Sequence, residues 1–288
     1  MDDLSSRAHL LKAQNADGGW GYFPGRESWL EPTAWAALAL HGHGASEQAY
    51  KLVRRWQKDD GSARPSADVD SAHWTASLVV TLAALRRDMP VVRRGVDYLL
   101  ETSGVESGTF MRVMQFLKPE AHDRDARFEG WPWRPGAAAW VEPTVHGITA
   151  LRLAGRLMPD DQRIPDRIDS AQSLIWHQRC SDGGWNYGAR KAREIPLESF
   201  PETTALALVG LLGRPGLGDA VLAARTLGQS RRSPLSRAWL ALGLRLHGQD
   251  AGDDQPAEAG EDITLCAICT LGAPGGNWPL LIDGKAKA

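Results

Sequence analysis

Apolar positions along this chain fall into two alternating kinds of segment. The first kind is amphipathic with a charged face: AHLLKAQ ending at Gln14, SEQAYKLVRRWQ at Gln57, VRRGVDYLL at Leu100, RIDSAQSLIWHQ at Gln178 and AVLAARTLGQ at Gln229. The second is small and apolar on nearly every side. Its members are EPTAWAALAL from Glu31, HWTASLVVTL from His73, EPTVHGITAL from Glu142, ETTALALVGL from Glu202, LSRAWLALGL from Leu235 and DITLCAICTL from Asp262. A one-sided apolar pattern at helical spacing predicts a surface helix, and all-round apolarity predicts a buried one. Most of the buried set open with an acidic residue followed by Pro or Thr, a helix-start signature. The pattern predicts an all-α fold in which inner helices circle an axis and outer helices surround them. An open solenoid of helix pairs is the alternative.

The loops repeat as well. QNADGGWGYFPG runs from Gln14 to Gly25, and QRCSDGGWNYG from Gln178 to Gly188. QKDDGS from Gln57 is a weaker copy, and GGNW at 275–278 a remnant. Recurrence at this spacing marks a repeat architecture and a structural device rather than a single binding loop. The glycines permit backbone angles that other residues resist, as a turn after a helix requires.

A Gln-to-Trp motif with two glycines, followed by an E-P-T-A-W-A-type helix, resembles the terpene cyclase and protein prenyltransferase superfamily. The likeness is greatest to the catalytic half of squalene–hopene-type cyclases and covers nearly the whole chain. It implies an α6/α6 toroid, one domain over 1–288, with one outer helix fewer than inner ones. An insert at about 103–140 and an acidic linker at about 248–262 interrupt the repeats. In the superfamily the Gln caps a helix end outside the cavity while the Trp ring packs across it. Gln14, Trp20, Gln178 and Trp185 are the corresponding staples here.

The candidate chemistry lies where inner helices begin. SADVDSAHWTA, residues 66–76, resembles the superfamily's D-x-D-D-T-A motif, whose middle Asp protonates an alkene or epoxide. The match makes Asp68 the first Asp and Asp70 the middle one. Ser71 replaces the last Asp and Ala72 the Thr, which weakens the crowding of carboxyls that keeps one protonated. His73 is close enough in sequence to orient the acid. At the aligned start of each inner helix stand Glu31, His73, Glu142, Glu202, Leu235 and Asp262. The carboxylates among them suit helix N-termini, and together they suit a cation or a polar head group. A helix N-terminus lowers a carboxyl pKa, so these residues are expected to be poor general acids. Trp35, Trp74, Trp140 and Trp239 lie in or beside inner helices, where they either line an apolar pocket or pack the core.

Composition narrows the classes. The chain has 288 residues, 43% of them hydrophobic, and a net charge of −2, so a nucleic-acid partner is not expected. The first ten residues do not read as a signal peptide, and no run is long enough to span a bilayer. Cys180, Cys266 and Cys269 read as reduced thiols in a cytoplasmic chain. Asp262 and Cys266 have the wrong spacing for the superfamily's zinc site, so neither metal nor cofactor is expected. Twelve Trp against five Phe and four Tyr is the unusual count, and such Trp brace loops, line an apolar cavity or stack on sugars. In the insert, Phe110, Val113, Met114 and Leu117 form an apolar stripe, either packed over the barrel mouth or facing a membrane surface. The resemblance implies protonation-initiated cyclisation of an isoprenoid chain. A non-catalytic lipid-binding or scaffold toroid is the alternative, ahead of a zinc prenyltransferase-like subunit or a carbohydrate-active toroid. An apolar small molecule, peripheral membrane contact and a protein partner supplying a missing wall are the expected associations.

Overall fold

The computed structural model describes residues 3–69, 74–108, 113, 117, 125–192, 195–230, 233–249, 260–273, 275–276 and 278–279. Eleven α-helices account for most of them. Five are amphipathic and lie outside: α1 (Asp3–Lys12), α3 (Gly44–Trp56), α5 (Met89–Glu101), α7 (Arg163–His177) and α9 (Gly218–Ser230). Six are buried and lie inside: α2 (Leu30–Ala39), α4 (Ala76–Leu85), α6 (Val141–Leu157), α8 (Pro201–Gly210), α10 (Pro234–Leu246) and α11 (Ile263–Gly272). The two sets match the two segment kinds in the sequence.

The inner helices form a closed ring. α2 packs on α4, α4 on α6, α6 on α8, α8 on α10, α10 on α11, and α11 on α2. Ring closure rules out the open solenoid. Outer helices seat against the ring: α3 on α2 and α4, α5 on α4 and α6, α7 on α6 and α8, α9 on α8 and α10, and α1 on α11. Among the described residues the place between α10 and α11 has no outer helix.

The difference between the two sets follows from how many sides each must cover. In α3, Ala49, Leu52, Val53 and Trp56 are buried while Lys51, Arg54 and Arg55 face water. In α4, every residue from Ala76 to Ala84 is buried, because two ring neighbours and the outer layer surround it. Small residues let inner helices approach closely. A Cβ on Gly243 of α10 would lie 2.9 Å from the Ala205 carbonyl oxygen of α8, so Gly is required there. No helix among the described residues is long and apolar enough to cross a membrane.

The loops joining an outer helix to the next inner one share a design. The Trp20 ring is fully buried, and its Nε1 donates to the Leu10 carbonyl of α1 at 2.7 Å. Its backbone N–H donates to Thr33 Oγ1 of α2 at 2.9 Å. Trp185 repeats both bonds, to the Ile175 carbonyl of α7 at 2.6 Å and to Thr204 Oγ1 of α8 at 3.0 Å. Each Trp thus bonds a carbonyl in the last turn of the outer helix and anchors the first turn of the inner one. Gly18 and Gly183 take the same left-handed angle, φ 92° and 93°.

Two sequence expectations change at these loops. Gln14 Nε2 donates to the Gly18 carbonyl as expected, at 2.8 Å. Gln178 does not act as its counterpart. Its side-chain oxygen and nitrogen are buried without hydrogen-bond partners, while the neighbouring Arg179 Nε reaches the Gly183 carbonyl at 2.9 Å. The longer guanidinium has taken over the bond. Within the predicted insert, Trp131 forms a third loop of the same kind. Its Nε1 donates to Leu99 O of α5 at 2.9 Å, and its N–H to Thr144 Oγ1 of α6 at 3.0 Å. The buried Arg167 of α7 lies 3.6 Å over its ring and donates to the carbonyls of Glu129, Thr102 and Gly130. Of the predicted stripe in the insert, Val113 and Leu117 are exposed, and Phe110 and Met114 lie outside the described residues. Burial pushes the Cys266 and Cys269 thiols up to about 11 and about 12.

Candidate functional site

The inner helices all begin at one end of the ring, and the first turns of α2 and α6 present the same pair of positions. Glu31 stands four residues before Trp35, and Glu142 four before His146. A spacing of four puts both members on one helix face, the carboxylate a turn above the ring system. Trp239 of α10 completes a layer drawn from alternate helices of the ring.

This layer closes across the axis. The Trp35 ring meets His146 at 5.2 Å and Trp239 at 5.7 Å, both edge-on, and His146 lies 6.4 Å from Trp239. Trp74, just before α4, stacks on His146 at 4.9 Å and takes the edge of Trp133 at 5.3 Å. Trp278, beyond α11, stacks on Trp35 at 6.2 Å and meets Trp239 at 6.3 Å. Trp35, His146, Trp239 and Trp278 are each at most 3% exposed. A cavity of about 10 Å³ lies beside this cluster, lined by Trp74, Trp131, Tyr98 and Pro143 among others. That is room for about one water molecule.

Two buried polar atoms in the layer have no hydrogen-bond partner, His146 Nε2 and Trp278 Nε1. His146 Nε2 points toward the rim, 3.8 Å from Glu142 Oε1, too long for a hydrogen bond.

The rim above is acidic. Glu31 Oε2 accepts a 2.7 Å bond from the Tyr22 hydroxyl, and the Tyr22 carbonyl accepts the backbone N–H of Ile263 at the start of α11. Burial pushes the Glu31 carboxyl up to about 7. The charges of Glu142 and Asp262 push the same way, and the Tyr22 bond opposes them without prevailing. Burial, and then Glu31 itself, hold the Tyr22 hydroxyl far above its ordinary range. The expectation that rim carboxyls ionise easily therefore fails at Glu31, because loss of water outweighs the helix N-terminus. Asp262 caps α11 through Leu265 N–H at 2.9 Å. Glu202 is held from α10, where the Ser236 hydroxyl donates to its Oε1 and Ser233 Oγ lies at 3.4 Å.

Of the residues singled out in the sequence, the fold brings Trp35, Trp74 and Trp239 into one cluster, with Glu31 and Glu142 above it. Trp140 is not among them. It caps α6 at the surface, 36% exposed, with its ring 6.5 Å from Tyr187. Asp68 is exposed, and Asp70 and His73 lie outside the described residues. Sequence reasoning passed over Tyr22, Trp133, His146 and Trp278. Aligning EPTVH on EPTAW places His146 opposite Trp35, which is the signal that would have found it.

No protein-family model matches this chain, and no curated protein matches it in sequence. Solved structures share its fold. The apo type II terpene cyclase MstE from Scytonema is 16% identical with a TM-score of 0.56, over 94% of this chain and 76% of that one. An ent-copalyl diphosphate synthase from Streptomyces platensis, also 16% identical, gives 0.51 over 94% of this chain and 48% of its own. A glycosidase in complex with glucose, 14% identical, gives 0.59 over 94% and 95%. At these identities the likeness is one of fold: the chain is an α/α toroid of the kind that type II terpene cyclases and this glycosidase share.

Proposed function

We propose that this toroid takes an isoprenoid or similar apolar small molecule at the rim of its lumen and starts a cyclisation by proton transfer. One observation carries the reading: Glu31, held by the Tyr22 hydroxyl at 2.7 Å and with its carboxyl pushed up by loss of water, stands one turn above a wall of Trp rings. Protonation-initiated cyclisation needs an acid that holds its proton at working pH, and aromatic faces that stabilise the cation that follows. Trp35, Trp74 and Trp239 are the wall. Glu142 and Glu202 line the rim that receives the ligand. The stretch with Asp68, Asp70 and His73, on the approach to α4, supplies the other candidate acid. Because the rings meet across the axis, the ligand sits at the mouth rather than deep in the barrel. We place a peripheral contact with the cytoplasmic face of a membrane, the source of such ligands, at the exposed Val113 and Leu117.

The closed ring layer also favours a second reading, a cyclase-derived toroid that binds an apolar ligand or a protein partner without turning it over. One experiment separates the two. Purified protein is incubated with squalene, farnesyl diphosphate and geranylgeranyl diphosphate, the extracts are analysed by gas chromatography–mass spectrometry, and binding of each is measured by calorimetry. Cyclic products support the first reading. Binding without product supports the second. Neither binding nor product overturns ligand recognition altogether.

A further inference from the structure

The cyclase reading leaves open which groups move the protons. We propose that Glu31 and His146 are the proton-transfer pair of this site, Glu31 giving the proton that starts the reaction and His146 Nε2 taking the one that ends it. The assignment rests on that reading and names the residues that perform it.

The geometry singles these two out. Glu31 is tied in place by the 2.7 Å bond from Tyr22, and the Tyr22 backbone is tied to the start of α11. His146 sits in the ring layer itself, against Trp35, Trp74 and Trp239, so it borders the region where positive charge would develop. Its Nε2 is buried, unpartnered and directed at the rim. A buried imidazole nitrogen without a partner costs stability, and a proton to be accepted there gives it a use. The ionisable groups acting on Glu31 are Tyr22 from its own loop, Glu142 from α6 and Asp262 from the start of α11. By contrast Asp68, in the motif-like stretch, is exposed to water.

The step balances. The Glu31 O–H bond breaks and its proton bonds to one carbon of a substrate alkene, whose π electrons form the new C–H bond. This leaves a carboxylate on Glu31 and a tertiary cation on the substrate. After ring closure, a C–H bond beside the final cation breaks. Its electrons form the product alkene, and its proton goes to His146 Nε2. The imidazolium releases that proton to solvent and Glu31 regains one, so the net reaction is an isomerisation.

The test uses the full chain and the substrate showing turnover among squalene, farnesyl diphosphate and geranylgeranyl diphosphate. Expected results are at least a 100-fold loss of product in Glu31→Gln with no loss of thermal stability, and a wild-type rate that falls as pH rises through about 7. Tyr22→Phe moves that fall to higher pH, because the lost hydrogen bond had favoured the carboxylate. A residue with only a structural role would not shift the profile this way. His146→Gln shifts products from alkenes toward alcohols, as water captures a cation that no base quenches. Full turnover in Glu31→Gln, or loss of product in Asp70→Asn alone, overturns the assignment and leaves the cyclase reading standing. No cyclic product from wild type with any of the three substrates overturns both.

Discussion

The Trp loops and the rim of the lumen lie at the same end of the inner helices, joined by a few residues of chain, yet they treat their indoles in opposite ways. In the loops, the Trp20, Trp131 and Trp185 indoles each donate to the last turn of an outer helix, and their backbone N–H groups each find a threonine. One turn inward, His146 Nε2 and Trp278 Nε1 are buried without partners, and Glu31 shares its surroundings with Glu142 and Asp262. Where the loops hold the ring together, each indole and its backbone N–H find an acceptor, although the Gln178 amide beside Trp185 does not. The rim leaves groups unsatisfied and crowds like charges, which costs stability and is the usual mark of a site. The same residue type serves both regions: Trp20 is a clamp with a bonded indole, and Trp278 is a wall with a free one.

Mutations should separate the two regions by size and by kind of effect. The largest loss is expected at the loops. Trp20→Ala removes a fully buried indole and its bond to α1, and should cost about 3–5 kcal/mol in urea unfolding. A loss below about 1 kcal/mol would show that the loop is not a clamp. Arg167→Met removes the guanidinium over Trp131 and its bonds to three carbonyls, and should cost about 2–3 kcal/mol by the same measurement.

At the rim the expected effect is smaller and has the other sign. The folded-state pKa of Glu31 is raised to about 7 from an ordinary 4.5, so its contribution is fully present below about pH 4.5 and is lost as pH rises through 7. Glu31→Gln should therefore be more stable than wild type at pH 8, by about 1–2 kcal/mol after allowing for solvent at the rim. The difference should shrink toward pH 5. Equal stability at both pH values would remove the contrast between loop and rim. The smallest effect is expected at Ser236→Ala, about 0.5–1 kcal/mol, because Glu202 keeps access to water and to Ser233.

How much of this was legible depended on whether the signal was local. The alternation of amphipathic and wholly apolar helices was local, and the observed helices follow it closely, as with α10 at Pro234–Leu246 against a predicted start at Leu235. The double Trp loop was local too. The third loop was not, because Trp131 has no Gln before it and takes its support from Arg167, 36 residues later in the chain. The exchange of Gln178 for Arg179 was hidden for a similar reason: the two donors are adjacent in sequence, and only packing decides which one bonds the Gly183 carbonyl. The state of Glu31 could not be read from its position at a helix start. It depends on burial and on carboxylates from α6 and α11, which only closure of the ring brings near. Trp35 lies within α2 in the buried cluster, whereas Trp140 precedes α6 and is exposed.

The central claim is that the rim holds a carboxyl protonated near neutrality above an aromatic wall. The most direct measurement is a pH titration of the glutamate side-chain carboxyl carbons by ¹³C NMR, comparing wild type with Glu31→Gln to assign the signal. One glutamate, absent from the variant, should titrate with a midpoint near 7. If the signal lost in the variant titrates near the ordinary 4.5, Glu31 is an ionised rim residue and the account of this site as a proton donor is wrong.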